Sequence, residues 1–452
     1  MEQQTQFTEG KILGPLLKFA VPVLFAMFLQ AMYGAVDLLV VGQFGAAADV
    51  SAVATGSQMM HSITSVIIGL AMGTTILMGQ KIGQKKSDEA GDVIGGAVVI
   101  FAILAVFLTV VLMAAAAFLA GLMQAPEEAF DKTVIYIRFC SAGSLFIVAY
   151  NVLGSVFRGM GDSKTPLLTV AVACIVNIAG DLIFVGGLHM AAAGAALATV
   201  LAQAVSVILS LMLIRRRGLP FRFTIKNIRW NKAIILRTLR LGFPIALQEG
   251  LVGISFLAIM AIVNTLGVIP SAGVGVAEKL CGFIMLVPSS FMQSLSAFVA
   301  QNIGAGKRTR AVHAMCYGML ASLAIDVVIA YFAFFHGDIL SAVFARDAQV
   351  ILASADYLKA YAMDTLLVSF LFCFMGFFNG CGKTTFVMAE GIIGAFGVRI
   401  PVSYIMSRTA DASLFKVGLA IPLSTIVQII LCVGFFIYLN RKNKEKSEDI
   451  EE

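Results

Sequence analysis

A chain of 452 residues that is 59% hydrophobic and only 13% charged is not composed like a soluble protein, in which about a quarter of the residues are charged. Its mean hydropathy is +0.93, and apolar runs such as 93–124, free of any charged side chain, exceed the ~20 residues a helix needs to cross the bilayer core. These runs do not alternate in polarity, which excludes a β-barrel and leaves helices as the spanning structure.

In chain order, the runs predict spans over 15–41, 52–79, 93–122, 134–157, 165–187, 191–214, 239–266, 271–300, 312–336, 356–379, 384–407 and 415–439. The expected fold class is therefore an all-α polytopic membrane protein of about twelve transmembrane helices. The first ten residues are polar and acidic, and the first apolar run is longer than the core of a leader, so no cleavable signal peptide is expected. The seven cysteines and four histidines show no metal or redox spacing, and no enzymatic site is expected from them.

The two halves repeat. Gln80-Lys81-Ile82-Gly83 recurs as Gln301-Asn302-Ile303-Gly304, and Arg158-Gly159-Met160-Gly161 recurs as Asn379-Gly380-Cys381-Gly382 at the same offset. Tyr136-Ile137-Arg138 matches Tyr357-Leu358-Lys359, and Pro22 and Gly45 match Pro244 and Gly267 one residue further on. Several matches at one spacing, each at the same place relative to the spans, indicate duplication of a six-helix unit. An even number of spans per unit makes the repeats parallel, with a substrate cavity expected between them. The expected lobes are 1–217 and 218–452, the latter ending in a short charged cytoplasmic tail. Between them the basic segment 215–240 carries Trp230, the sole tryptophan and an expected interfacial anchor.

Charge sets the orientation. With both termini inside, 24 of the 32 Lys/Arg fall on the cytoplasmic side, nine of them in 215–240, as the positive-inside rule requires. Anionic headgroups account for this basic balance without nucleic acid. Gly382-Lys383-Thr384 resembles the end of a phosphate loop, but the first glycine of that motif would fall on Phe377. No strand precedes it either, so nucleotide hydrolysis is not expected.

Ionisable side chains inside spans are costly and default to functional candidates. Asp37 lies deep in the first span. Asp181 follows Asn177 by four residues in the fifth, so the two share a helix face, and Thr199 lies in the sixth. Two carboxylates, an amide and a hydroxyl form an oxygen donor set for a hard cation; alternatively, the carboxylates share a proton, or the four are interhelical hydrogen-bond partners. The aligned residues of the second repeat are Ile259, Val398 and Val402, so this constellation is not duplicated. In the second lobe Glu249, Glu278 and Asp364 are candidate substrate or acidic sites. Asp326 and Glu390 are weaker ones, Lys279 adjoins Glu278, and Arg399, before Pro401, is expected to be a counter-ion.

Taken together, the strings Pro22 to Asp37, Gly79 to Gly83, Arg158 to Asp162, Asn177 to Asp181, Gly194 to Thr199 and Ala300 to Gly304 resemble the MATE (multidrug and toxic compound extrusion) family of bacterial efflux transporters over roughly residues 12–440. The resemblance implies a V-shaped pair of six-helix bundles in the bacterial cytoplasmic membrane. It implies export of cationic or amphipathic compounds in exchange for inward H⁺ or Na⁺, with no cofactor, no metal beyond Na⁺ and a monomeric state. It assigns cation binding to Asp37, Asn177, Asp181 and Thr199. The family's seventh-span glutamate falls here on Val252, with Glu249 three residues earlier. The rival reading, a lipid-linked precursor flippase of the same architecture, calls for clustered basic residues inside the spans, and only Lys279 and Arg399 lie there.

Overall fold

The structure is a computed structural model that describes residues 7–409 and 413–451, without the side chains of Ser87 and residues 443–451. The charged tail beyond Lys442 lies outside the described side chains. The regular structure of the described residues is helical, with no strand among them.

The first six-helix set begins with α1 (Leu13–Phe44), α2 (Ala47–Gly83) and α3 (Ser87–Leu122). It continues through α4 (Glu127–Ala142), α5 (Ser144–Met160), α6 (Lys164–Asp181) and α7 (Ala191–Arg217). The second set opens with α8 (Lys232–Asn264), α9 (Val268–Ile284), α10 (Leu286–Gly304) and α11 (Arg308–Phe335). The short α12 (Gly337–Ala342), then α13 (Ala348–Gly380), α14 (Thr384–Ile392), α15 (Ile400–Ser407), α16 (Leu414–Gly418) and α17 (Ala420–Glu451) complete it.

Among the described residues, eleven helices, some joining two or three of these elements, are long and apolar enough to span a membrane, and a bent pair makes twelve. That pair is α4 and α5, which meet at 55°. The expected single span at 134–157 is thus broken at Gly143-Ser144, a small-residue pair of the kind that kinks helices. Gly143 also packs tightly: a Cβ there would stand 2.4 Å from Val200 of α7.

The chain divides into two compact units. The first takes in the described residues up to Leu247 with Ser296–Ala311 and Gly380–Gly382. The second holds Gln248–Leu295, Val312–Asn379 and the described residues from Lys383 onward. The first unit thus includes the Gln301-Asn302-Ile303-Gly304 motif, and the geometry explains why. A Cβ on Gly83 would fall 1.9 Å from the Gln301 carbonyl oxygen, and one on Gly304 2.2 Å from that of Gln80. The repeated glycines let equivalent helices cross backbone to backbone. Gly161 and Gly382, at equivalent turns, both adopt left-handed φ, +85° and +72°, a region that glycine enters without a steric penalty.

In the same unit the basic linker is fastened to α3. Asn227 donates to Asp92 at 2.8 Å, Arg229 pairs with Asp92 at 3.5 Å, and the linker carbonyl of Asn227 lies against Gly95. Trp230 is exposed.

Candidate cation site

α1, α6 and α7 of the first unit bring the four first-lobe candidates together. The approach of α6 to α7 depends on small side chains: a Cβ on Gly180 would lie 2.9 Å from Ala198 Cβ. That contact lies one residue before Asp181 on α6 and one before Thr199 on α7, the two residues that interact with Asp37. Immediately after Asp181 the helix widens into a π-helix over Leu182–Gly187, a local defect that recurs at functional sites.

Thr199 donates its hydroxyl to Asp37 Oδ2 at 3.2 Å and also reaches the Ala195 carbonyl at 3.0 Å. The side chains of Asp181 and Asn177 neighbour the Asp37 carboxyl group. Asp37, Asn177 and Asp181 are buried, the last two completely. Asp37 Oδ1, both Asp181 oxygens and both Asn177 polar atoms have no hydrogen-bond partner.

Unpartnered buried polar atoms cost about 1–3 kcal/mol each, and more when charged. Five in one place, on the two helices α1 and α6, make an arrangement able to take up a proton, or a cation with these oxygens as ligands. The hydrogen-bonded arrangement is represented as well: Thr199 donates to Asp37, and the side chains of Asp181 and Asn177 interact with the same carboxyl group. Tyr33, one turn before Asp37, and Gln203, one turn after Thr199, also lie here and interact with each other. Sequence reasoning passed them over, although their i,i+4 spacing from site residues was visible.

The second unit holds a separate polar group. Arg399, buried, donates to Ser255 Oγ at 3.3 Å and lies 4.8 Å over the Phe256 ring. Asp364, Glu390, Tyr357 and Tyr361 form its electrostatic surroundings, though no carboxylate approaches it within ion-pair distance among the described residues. Glu278 and Asp364 both neighbour Cys281 and Tyr357, so these two candidates share one region. Each keeps an unpartnered buried oxygen, and Glu390 keeps two. Glu249, half-buried, makes no hydrogen bond or ion pair among the described residues. Lys279 is exposed. Asp326 is a structural acid on one side: Ser322 and Ser369 both donate to its Oδ2, at 2.9 and 2.6 Å. The described residues contain no cluster of three His, Cys, Asp or Glu fit to hold a metal ion.

A model of the MatE family matches residues 22–183 and again 244–405, a displacement of 222 that agrees with the internal repeat. The probable multidrug resistance protein YoeA of Bacillus subtilis is 24% identical, over 94% of each chain. The multidrug export protein MepA of Staphylococcus saprophyticus is 22% identical, over 100% of this chain and 99% of its own. A solved structure of a multidrug resistance MATE family transporter in an outward-facing conformation superposes with a TM-score of 0.90 over 98% of both chains, at 21% identity; that likeness shows the fold.

Proposed function

Since the chain belongs to the MatE family, we propose that it is a secondary active multidrug exporter, exchanging cationic or amphipathic compounds for inward H⁺ or Na⁺. The observation that carries this reading is the set of unpartnered buried atoms on Asp37, Asn177 and Asp181. A rigid structural cluster would satisfy them internally; a transport site leaves them for an ion that comes and goes.

In this reading Asp37, Asn177, Asp181 and Thr199 hold the ion. Thr199 orients Asp37 through its 3.2 Å hydrogen bond, and Asn177 offers its amide oxygen beside the two carboxylates. Ion entry neutralises a charge buried between α1, α6 and α7 and favours their closed packing; ion loss restores repulsion between Asp37 and Asp181 and loosens it. Drug binds the conformation that the ion disfavours. Reciprocal linkage then gives exchange, with each ligand lowering the affinity of the other, by about 5–150-fold in typical coupled systems. Glu249, Glu278 and Asp364 supply negative charge for cationic compounds in the second lobe.

The names of the bacterial relatives, a multidrug resistance protein and a multidrug export protein, support the substrate class. The Lys/Arg distribution supports both termini in the cytoplasm, and the bacterial relatives support a bacterial cytoplasmic membrane; a monomeric state is part of the same proposal. A flippase for anionic lipid-linked precursors is disfavoured: of the two basic residues within spans, Arg399 lies among Asp364 and Glu390, and Lys279 is exposed and directly follows Glu278 in sequence.

The test is ethidium efflux from loaded vesicles, with pH and Na⁺ gradients imposed separately. Uphill transport driven by either gradient supports the exchange and names the ion. Transport indifferent to both overturns it.

A further inference from the structure

A cavity of about 440 Å³ opens in the first unit at the amino-terminal end of α8, well removed in sequence from the ion-site residues. Its volume falls in the range of small-molecule sites, ~300–1,000 Å³. The lining divides into two chemistries. Arg237 and Arg240, one helical turn apart on α8, are its charged groups, and no acidic residue lines it. Leu236 and Leu241 form an apolar wall, and Gly382 contributes bare backbone.

The polar side is held in place. Arg237 donates to Gln80 Oε1 at 3.3 Å, and Gln80, itself buried, donates through Nε2 to the Gly380 carbonyl at 3.3 Å. Arg240 is exposed and makes neither hydrogen bond nor ion pair among the described residues. Two guanidiniums with free donors are suited to bidentate recognition of phosphate oxygens. Leu236 is exposed, beside the cavity and at the end of a spanning helix.

We infer that this cavity binds the phosphate headgroup of an anionic phospholipid, with Arg237 and Arg240 on the phosphate and Leu236 against its glycerol and first acyl methylenes. A soluble phosphate compound would share the guanidinium contacts but leave the exposed leucine without a role. The position favours a lipid. The cavity lies just after the run Arg215, Arg216, Arg217, Arg222, Lys226, Arg229 and Lys232, which draws anionic headgroups to this face.

The experiment measures phospholipid bound to the delipidated full-length protein by native mass spectrometry, with phosphatidylglycerol and phosphatidylcholine offered together. Wild type is expected to retain phosphatidylglycerol selectively. Arg240→Gln, which breaks no hydrogen bond of the fold, should weaken retention about fivefold, and Arg237→Gln/Arg240→Gln about 30-fold. Arg215→Gln/Arg216→Gln removes the same charge outside the cavity and should change it less than twofold. Equal loss in that control would mean a diffuse basic face and overturn the site. Displacement of phosphatidylglycerol by millimolar inorganic phosphate or glycerol 3-phosphate would overturn the lipid assignment. Unchanged retention in both cavity variants would overturn the inference outright.

Discussion

Gln301 donates its side-chain amide to the carbonyl of Gly159 at 3.0 Å. The equivalent pair in the other direction is Gln80 to Gly380, at 3.3 Å. Each repeat's glutamine therefore ties down the other repeat's glycine turn. The motifs that revealed the duplication are the ones that pack across it, which explains why they stayed similar while the buried charges diverged.

Gly83 and Gly304 make that crossing possible, so enlarging either should be costly. Gly83→Ala would press a methyl group into the Gln301 carbonyl, only 1.9 Å away, and overpacking of this kind costs about 1–3 kcal/mol. Gly253, in the interior of α8, has nothing within 4 Å; Gly253→Ala should instead stabilise by about 0.5–1 kcal/mol through helix propensity. Thermal melts of the two variants in one detergent should move in opposite directions.

Arg310 clamps the amino-terminal segment. Its guanidinium donates to the carbonyls of Phe7, Glu9, Gly10 and Lys11, while the Phe7 ring packs on Phe19 and Phe298. Arg310→Ala should speed hydrogen exchange across residues 7–11 by more than about tenfold, since several charge-assisted bonds of ~1.5–3 kcal/mol are lost together. Unchanged protection there would mean that the Asn302 and Lys307 hydrogen bonds to Phe7 and Thr8, with the aromatic contacts, suffice to hold the segment.

Asp326 has two hydroxyl donors, which sets it apart from the ion-site acids. Ser369→Ala removes the shorter bond and should destabilise the protein by about 1.5–3 kcal/mol. Ion-driven efflux per folded molecule should stay at the wild-type level. A loss of coupling without a loss of stability would move Asp326 into the transport machinery.

Thr199 should matter both as an ion ligand and through its hydrogen bond to Asp37. Thr199→Val keeps the volume and removes the hydroxyl, and the half-saturating ion concentration for efflux should rise about tenfold, as expected for one hydrogen bond to a charged group. The maximal rate should be preserved. An unchanged ion dependence would show that the hydroxyl only closes its bond to the Ala195 carbonyl.

Much of this was legible in the sequence because lipid imposes severe rules on it. Apolar runs located the spans, and the constancy of the turns exposed the repeat. The first-lobe constellation could be read because Asp37, Asn177, Asp181 and Thr199 are exceptional residues for their helices. The break at Gly143 was not legible: residues 134–157 read as one span, and hydropathy does not register direction. Nor was the grouping around Arg399. Asp364 comes from α13, Glu390 from α14 and Arg399 from a π-helix, so only the packing of separate segments brings them together. The aligned positions Ile259, Val398 and Val402 gave no sign of it, because the second unit's charges sit elsewhere on the scaffold.

In the proposed exchange the Asp37–Asp181 cluster couples ion entry to export. Its most direct test is gradient-driven ethidium efflux by Asp37→Asn in proteoliposomes, with a thermal melt to verify folding. The amide is nearly isosteric, still accepts the Thr199 hydrogen bond, and carries no charge for the ion to neutralise. The expected result is a folded protein that binds ethidium but fails to move it against its gradient. Efflux at the wild-type rate and with wild-type ion dependence would contradict it.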